Sequence, residues 1–259
     1  MRKLERQNAI ISMLQNDRSI KIKDVAEKLH TSIITLRRDF DELEEAGLLQ
    51  KVYGGAVLPE RREQNALWQP GFDARVRLSV PLKQKLAAAA AEFVKSSDVV
   101  FLDSGSTCFE AAKAIENKFN LTVITNSFPV LQELCRIDGL TLHALGGFVR
   151  KNELATCGAV AQSSLANFRI DLAVISTGAI SDDLMLSSFN RDSADLTAAV
   201  IERAMQTVLV VESSKFGAKA LSPVAPLDSI DVLVTDSQLP ASFREAIGRT
   251  KVKLVTVDP

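Results

Sequence analysis

The sequence predicts an α/β protein in two units, an N-terminal winged helix-turn-helix and a C-terminal α/β domain built around a largely parallel sheet. Two observations carry this. Before residue 59, apolar side chains recur at helical spacing in three short runs, and a glycine-centred hairpin follows. From about residue 81, β-like apolar runs alternate with helical ones. Between them, "ERREQNALWQPGFDARVRLSV" at 60–80 is polar, holds Pro70-Gly71 and lacks clear periodicity, so it reads as a linker that Trp68 and Phe72 pin to a neighbouring surface. The expected divisions are 1–58, 59–80 and 81–259.

In the first unit, Leu4, Ile10, Ile11 and Leu14 form the inner face of one helix. After the extended "SIKI", Val25, Ala26 and Leu29 do the same for a short second helix. A turn at His30-Thr31 leads to Ser32, placed to cap a third helix that runs to Ala46 and stops at Gly47. Its inner stripe is Leu36, Phe40 and Leu43. "LLQKVYGGAVL" then reads as a hairpin turning at Tyr53-Gly54-Gly55. With Leu36 and Phe40 inward, Thr35, Arg37 and Arg38 point outward at the end of the helix that enters the major groove in such modules. Arginine pairs with guanine or phosphate, and threonine meets a thymine methyl. Lys51 and Tyr53 on the wing are candidates for backbone or minor-groove contacts. Residues 1–62 hold 12 Lys+Arg against 10 Asp+Glu, with Asp41, Glu42, Glu44 and Glu45 acidifying the far end of the third helix. Positive charge gathers where the groove would lie.

In the second unit, "KQKLAAAAAEFVK" is a helix and "VVFLD" a strand, and the turn Asp103-Ser104-Gly105-Ser106-Thr107 leads into the next helix. Further strands are expected in "LTVITNS", "LTLHALGG", "DLAVIST", "TVLVVESSKFG", "IDVLVTD" and "VKLVTV", with helices in "FPVLQELCRI" and "SADLTAAVIERAM". A buried strand that turns through small residues into a helix N-terminus is a way to hold an anion. Ligands of such sheets sit beyond the carboxyl ends of the strands. Polar groups collect there: Asp103 to Thr107, Thr125-Asn126-Ser127, Gly146-Gly147 with Arg150, and Lys215. Small residues and backbone N–H groups suit phosphate, two cations neutralise it, and Asn and Asp read hydroxyls. Together these describe a sugar-phosphate site.

Composition sets the bounds. The chain has 259 residues, 46% hydrophobic and 24% charged, with a formal net charge of −1. No run approaches the ~18 apolar residues of a membrane span, and "MRKLERQNAIISML" threads charges through its apolar positions, unlike a secretory signal. Cys108, Cys135 and Cys157 lack metal spacing and read as reduced thiols of a cytoplasmic protein. His30 and His143 are too few for most zinc sites. No cofactor, metal or catalytic residue is expected.

"TSIITLRRDFDELEEAGLLQKVYGGAVL" resembles the N-terminal module of the DeoR/GlpR-type bacterial transcriptional regulators, whose signature runs S-x-x-T-I/V/L-R-R/K-D-L-x-x-L before an L-x-R-x-x-G-G hairpin. Ser32, Thr35, Leu36, Arg37, Arg38, Asp39, Leu43, Gly54 and Gly55 fall on it, with Phe40 for the usual Leu. The resemblance extends over the second unit, which in that family is similar to ribose-5-phosphate isomerase and binds phosphorylated sugars. Lys83 with Leu86-Ala87 matches K-x-x-I-A; Asp103, Gly105, Ser106 and Thr107 match D-x-G-S/T-T; Thr125 and Asn126 match T-N-S/N. Gly146, Gly147 and Arg150 match G-G-x-x-R, Ser214, Lys215 and Phe216 match D-x-S-K-F, and Arg75 falls on an arginine before the lysine. Three departures stand near the expected pocket: "STGAIS" at 176–181 for a G-x-D-G-like stretch, Thr197 for a lysine, and Glu212 for an aspartate. "STCFEAAKAI" and "TNSFPVLQEL" are similar to the fucose-operon branch.

The resemblance implies a regulator, usually a repressor, that binds double-stranded operator DNA, responds to a sugar phosphate and forms a dimer or tetramer. Its effector-binding residues are then Lys83, Asp103, Ser104, Gly105, Ser106, Thr107, Thr125, Asn126, Gly146, Gly147, Arg150 and Lys215. The alternative is a sugar-phosphate isomerase with an appended winged-helix module, Asp103 as base and Lys215 polarising the carbonyl. A winged helix that binds protein, with a vestigial pocket behind it, is a third reading.

Overall fold

The computed structural model describes residues 3–45, 47–57 and 69–259. The chain divides into two compact units, Met1–Ser79 and Val80–Pro259.

Unit 1 comprises α1 (Lys3–Asp17), β1 (Ser19–Lys21), α2 (Ile22–Lys28), α3 (Ile33–Glu45), β2 (Gln50–Val52), β3 (Gly55–Val57) and α4 (Phe72–Arg75). Ile10, Ile11, Leu14, Val25, Leu36, Phe40 and Leu43 form one core, joined by Leu48, Leu49 and Ala56. The Leu4 side chain, Ala46 and Trp68 lie outside the described residues. Ser32 Oγ accepts the N–H of Thr35, which caps α3 as its sequence implies. The wing is a three-stranded antiparallel sheet in the order β1-β3-β2, so the extended run before α2 becomes its third strand.

Within the stretch read as a linker, residues 72–78 fold onto unit 1. Ala74 is buried in its core and Leu78 packs against it. Arg75 Nε donates to the Pro70 carbonyl at 2.9 Å, and Arg77 Nη1 to Gln7 Oε1 at 3.4 Å. The apolar pair Ala74/Leu78 has helical spacing. Asp73, Arg75 and Arg77 between and beside them mask that spacing in the sequence.

Unit 2 contains α5 (Val80–Ala91), β4 (Val99–Leu102), α6 (Ser106–Ala114), β5 (Thr122–Thr125), α7 (Phe128–Leu134), β6 (Thr141–Ala144), β7 (Phe148–Arg150), β8 (Ala155–Cys157) and α8 (Ala159–Leu165). It continues with β9 (Ile170–Ile175), β10 (Ala179–Ile180), β11 (Met185–Ser188), α9 (Arg191–Arg203), β12 (Ala204–Val210), β13 (Ser222–Pro226), β14 (Val232–Asp236), α10 (Ala241–Ile247) and β15 (Lys253–Val257). Seven strands form one sheet in the order β15-β14-β12-β9-β4-β5-β6, every pairing parallel. Alternate residues of the strands serve two cores. Phe101, Ile124, Ala173 and Leu209 pack on one face, Val100, Leu102, Val123, Val174 and Val208 on the other. A second sheet, β10-β11-β13, and the hairpin β7-β8 are antiparallel. The sequence reading lacks both, because strands this short carry little periodicity.

The strand order places the site. The chain enters the sheet at β4, moves outward through β5 and β6, then returns to β9 on the other side and leaves through β12, β14 and β15. The reversal opens a crevice beyond the carboxyl ends of β4 and β9, where open α/β sheets take their ligands.

Candidate functional site

On α3, Leu36, Asp39, Phe40 and Leu43 are buried, while Arg37 and Arg38 are exposed beside Ile34, 67% exposed. Thr35 is half-buried, its hydroxyl 2.9 Å from Ser32 Oγ. Asp39 accepts from Arg6 twice, Nε to Oδ2 at 2.5 Å and Nη2 to Oδ1 at 3.1 Å, which clamps α1 to α3. The same bonds raise the pKa of Arg6. On the wing, Tyr53 is fully exposed. Lys51 is turned toward the protein instead: its ammonium lies 2.6 Å from Asp41 and 3.1 Å from Glu44, and its N–H donates to Glu44 Oε1 at 2.7 Å. Asp41 and then Glu44 raise the Lys51 pKa. The acidic end of α3 thus balances the wing lysine and leaves Arg37 and Arg38 as the exposed cations of the helix.

In unit 2, Asp103 follows β4 and its N–H donates to the Val174 carbonyl on β9, at the reversal point. Oδ1 accepts the Ser104 N–H at 2.7 Å and Oδ2 the Thr197 hydroxyl at 3.3 Å. Burial pushes the Asp103 carboxyl up to about 6, against the pull of donors from Ser104, Thr197 and Ser176. Gly105, at φ +115°, is the residue from which α6 starts, and Ser106 and Thr107 are buried in its first turn. A side chain at that φ is strained. The backbone N–H groups of the first turn have no partners within their helix, and the helix dipole favours an anion there.

Asn126 follows β5, whose Thr125 is paired with Leu102. It is buried, donates from Nδ2 to the Thr156 carbonyl at 3.0 Å, and its Oδ1 has no hydrogen-bond partner among the described residues. Thr125 has a structural use: its hydroxyl donates to the Leu102 carbonyl at 2.7 Å and accepts the Ser127 N–H. Gly146 and Gly147 follow β6. Gly147 takes φ +134°, and a Cβ there would meet the Cys157 carbonyl at 2.5 Å. Arg150, on β7, has its Nε buried without a hydrogen-bond partner among the described residues. Past β12, Lys215 ends a 3-10 turn and is half-buried. Lys83 of α5 is buried, 3.7 Å from Glu212 Oε1. Asp103 to Thr107, Thr125-Asn126, Gly146-Gly147 and Lys215 thus lie at or after the carboxyl ends of β4, β5, β6 and β12 in the chain, while Arg150 lies on β7 and Lys83 on α5.

Sequence reading missed Arg6, Thr156 and the role of Thr197. Thr197 lies 94 positions from Asp103 and Arg6 lies 33 from Asp39, so no local pattern joins either pair. Among the described residues, no group of three or more His, Cys, Asp or Glu could hold a metal ion, and no helix is long and apolar enough to cross a membrane.

Residues 6–62 match the DeoR-like helix-turn-helix domain, and residues 79–237 match the DeoR C-terminal sensor domain. The transcriptional repressor AccR of Agrobacterium fabrum is 30% identical over 90% of this chain and 89% of its own length. The HTH-type transcriptional regulator GlpR of Haloferax volcanii is 30% identical over 97% of this chain and 96% of its own. The glycerol-3-phosphate regulon repressor of Escherichia coli K12 is 27% identical over 98% and 99%. Among solved structures, ribose 5-phosphate isomerase A of Methanocaldococcus jannaschii is 19% identical, over 53% of this chain and 54% of that one, with a TM-score of 0.39.

Proposed function

The chain belongs to the DeoR family of transcriptional regulators, and from that premise we propose that it represses a carbohydrate catabolic operon and leaves its operator when a phosphorylated sugar binds in unit 2. The observation that carries the ligand is Asn126. Its Oδ1 is a buried acceptor with no partner among the described residues, one strand away from the N-terminus of α6. A buried acceptor left unmatched costs about 1–3 kcal/mol, and a ligand hydroxyl would satisfy it. The α6 N-terminus takes the phosphate, Arg150 and Lys215 supply positive charge, and Asp103 accepts a second hydroxyl. A sugar phosphate presents an anion and hydroxyl donors together; inorganic phosphate presents no sugar hydroxyls.

In unit 1, Arg37 and Arg38 read the major groove with Thr35 beside them, and Tyr53 carries the wing contact. Paired heads in a homo-oligomer would match paired half-sites. The chain binds its ligand without converting it.

The test is calorimetric titration of wild type and Gly105→Asp with fructose 1-phosphate, ribose 5-phosphate and glycerol 3-phosphate. It is paired with release of a duplex selected by the protein from a random-sequence library, and with a product assay. Gly105→Asp adds charge and bulk at the phosphate position, so it should bind the duplex yet neither bind nor respond to the ligand. Wild-type ligand affinity in Gly105→Asp would reduce the turn to a structural loop. Turnover of a phosphosugar by wild type would favour the isomerase reading.

A further inference from the structure

The middle of the outer face of α3 is apolar at the end that enters the groove. Leu36, Phe40 and Leu43 mark the core side of the helix, and Ile34 stands opposite them, 67% exposed. Arg37 and Arg38 lie three and four positions on, one turn further along the same face, and both are exposed. Asp41 lies a turn beyond Arg37 and Arg38, its Oδ1 2.6 Å from the Lys51 ammonium, so its charge is matched within the protein. The leading end of the face is thus an isoleucine followed by two arginines. A lone exposed isoleucine needs no explanation on an ordinary surface. Here it occupies the middle of the face that a helix-turn-helix lays against base edges, and a β-branched residue is a poor helix former. Thr35 is the other candidate for an apolar base contact. It is half-buried, and its hydroxyl and N–H both meet Ser32 Oγ, at 2.9 and 3.2 Å, so the cap fixes it.

We propose that Ile34 reads the 5-methyl group of a thymine in the major groove, and so fixes a T·A pair beside the base pairs that Arg37 and Arg38 face. The proposal rests on the reading that α3 lies in that groove. Among the four bases, only thymine carries a methyl group on its major-groove edge. Isoleucine has no donor or acceptor, so against the amino group of cytosine or adenine it would cover a polar group and pair with nothing. Against a thymine methyl, apolar surface leaves water on both sides. Side chains on a helix lean toward its N-terminus, so Ile34 covers the turn at Ser32 and Ile33, and the arginines reach back toward it. Ile34 and Arg38 are about 6 Å apart along the helix axis, which spans about two base-pair steps. The arginines supply attraction to phosphate or guanine. Ile34 adds discrimination at a neighbouring position without adding charge.

The experiment uses the full chain and a duplex that the protein selects from a random-sequence library, read by fluorescence anisotropy. Each thymine of the duplex is replaced in turn by deoxyuridine, which removes the methyl and keeps every hydrogen-bonding group of the pair. For wild type, one position should lose about fourfold in affinity, the worth of one buried methyl-sized group. Ile34→Ala should bind the thymine duplex more weakly, and its deoxyuridine penalty at that position should fall below about 1.5-fold. Ile34→Val keeps a branched apolar side chain and should retain most of the wild-type penalty. Ile34 lies outside the core and alanine is the better helix former, so the melting temperature of Ile34→Ala should not fall. A selected duplex in which no thymine shows the penalty, or an equal penalty in wild type and Ile34→Ala, would overturn the assignment. Weaker binding by Arg37→Ala or Arg38→Ala in the same assay would then show that the groove reading stands without it. Wild-type affinity in both arginine variants and in Ile34→Ala would take α3 out of the groove, and the assignment with it.

Discussion

Each unit buries an aspartate, Asp39 in the first and Asp103 in the second, and the two are held in opposite ways. Asp39, on the inner face of α3, is gripped at both oxygens by the Arg6 guanidinium. Asp103, at the reversal point of the sheet, is held by neutral donors, the Ser104 and Ser176 N–H groups and the Thr197 hydroxyl, and its carboxyl titrates near 6. A fixed cation with matched geometry turns a buried carboxylate into a bolt between helices. Neutral dipoles leave a buried carboxylate short of stabilisation, and a ligand hydroxyl can supply more. The contrast separates a carboxylate locked between α1 and α3 from one that burial holds toward its protonated form.

The strongest way to break the comparison is at the bolt. Arg6→Ala leaves Asp39 buried and unpaired, at a cost of about 3–5 kcal/mol. Scanning calorimetry should show an early transition for unit 1 with the unit 2 transition unmoved, and duplex binding should be lost while phosphosugar binding persists. An unchanged first transition would mean that the clamp contributes nothing.

Asp103→Asn sharpens the other side. The carboxyl of Asp103 is raised from 3.8 to about 6 by burial. The folded state therefore holds its proton more tightly, and stability is greatest below pH 4 for this group and falls as pH rises through 6. Above that the cost is roughly 3 kcal/mol at most. Asparagine removes it: its Nδ2 can donate to the Thr197 hydroxyl, and its one oxygen then serves both the Ser104 and the Ser176 N–H groups. Denaturant unfolding should find the variant more stable than wild type at pH 7.5 and equal to it near pH 4, with weaker phosphosugar binding. A variant less stable at both pH values would show the carboxylate to be structural, like Asp39.

The smallest effects belong to the outer face of α3 and the wing. Arg37→Ala and Arg38→Ala should each cost ~1–3 kcal/mol of duplex affinity where the arginine reads a base. A pure phosphate contact would instead weaken all sequences alike and lower the salt dependence. Lys51→Ala should change affinity less than either, because its ammonium already faces Asp41 and Glu44. Titration at two salt concentrations ranks the three. Lys51→Ala weaker than Arg37→Ala would mean that the wing lysine leaves its carboxylates for DNA.

What the sequence by itself determined follows from local rules. Period 3.6 separates Leu36, Phe40 and Leu43 from Arg37 and Arg38, because a helix fixes which residues share a face. Ser32 caps α3 because a side-chain oxygen there meets an otherwise unpaired N–H. Apolar strands alternating with helices announce the parallel sheet, and the Asp103–Thr107 turn follows from a strand meeting a helix through small residues. Other features depend on residues far apart in the chain, and only the tertiary structure decided them. Ala74 and Leu78 join the first core although charges surround them in sequence. Lys51 faces α3 because the wing folds back beside Asp41 and Glu44. Arg6 finds Asp39, Thr197 finds Asp103, and Asn126 Oδ1 is buried with no partner among the described residues. Backbone periodicity is a property of neighbours a few bonds apart, so it is legible in the sequence. The charge and desolvation that decide a buried polar group come from whichever distant strand or helix packs against it.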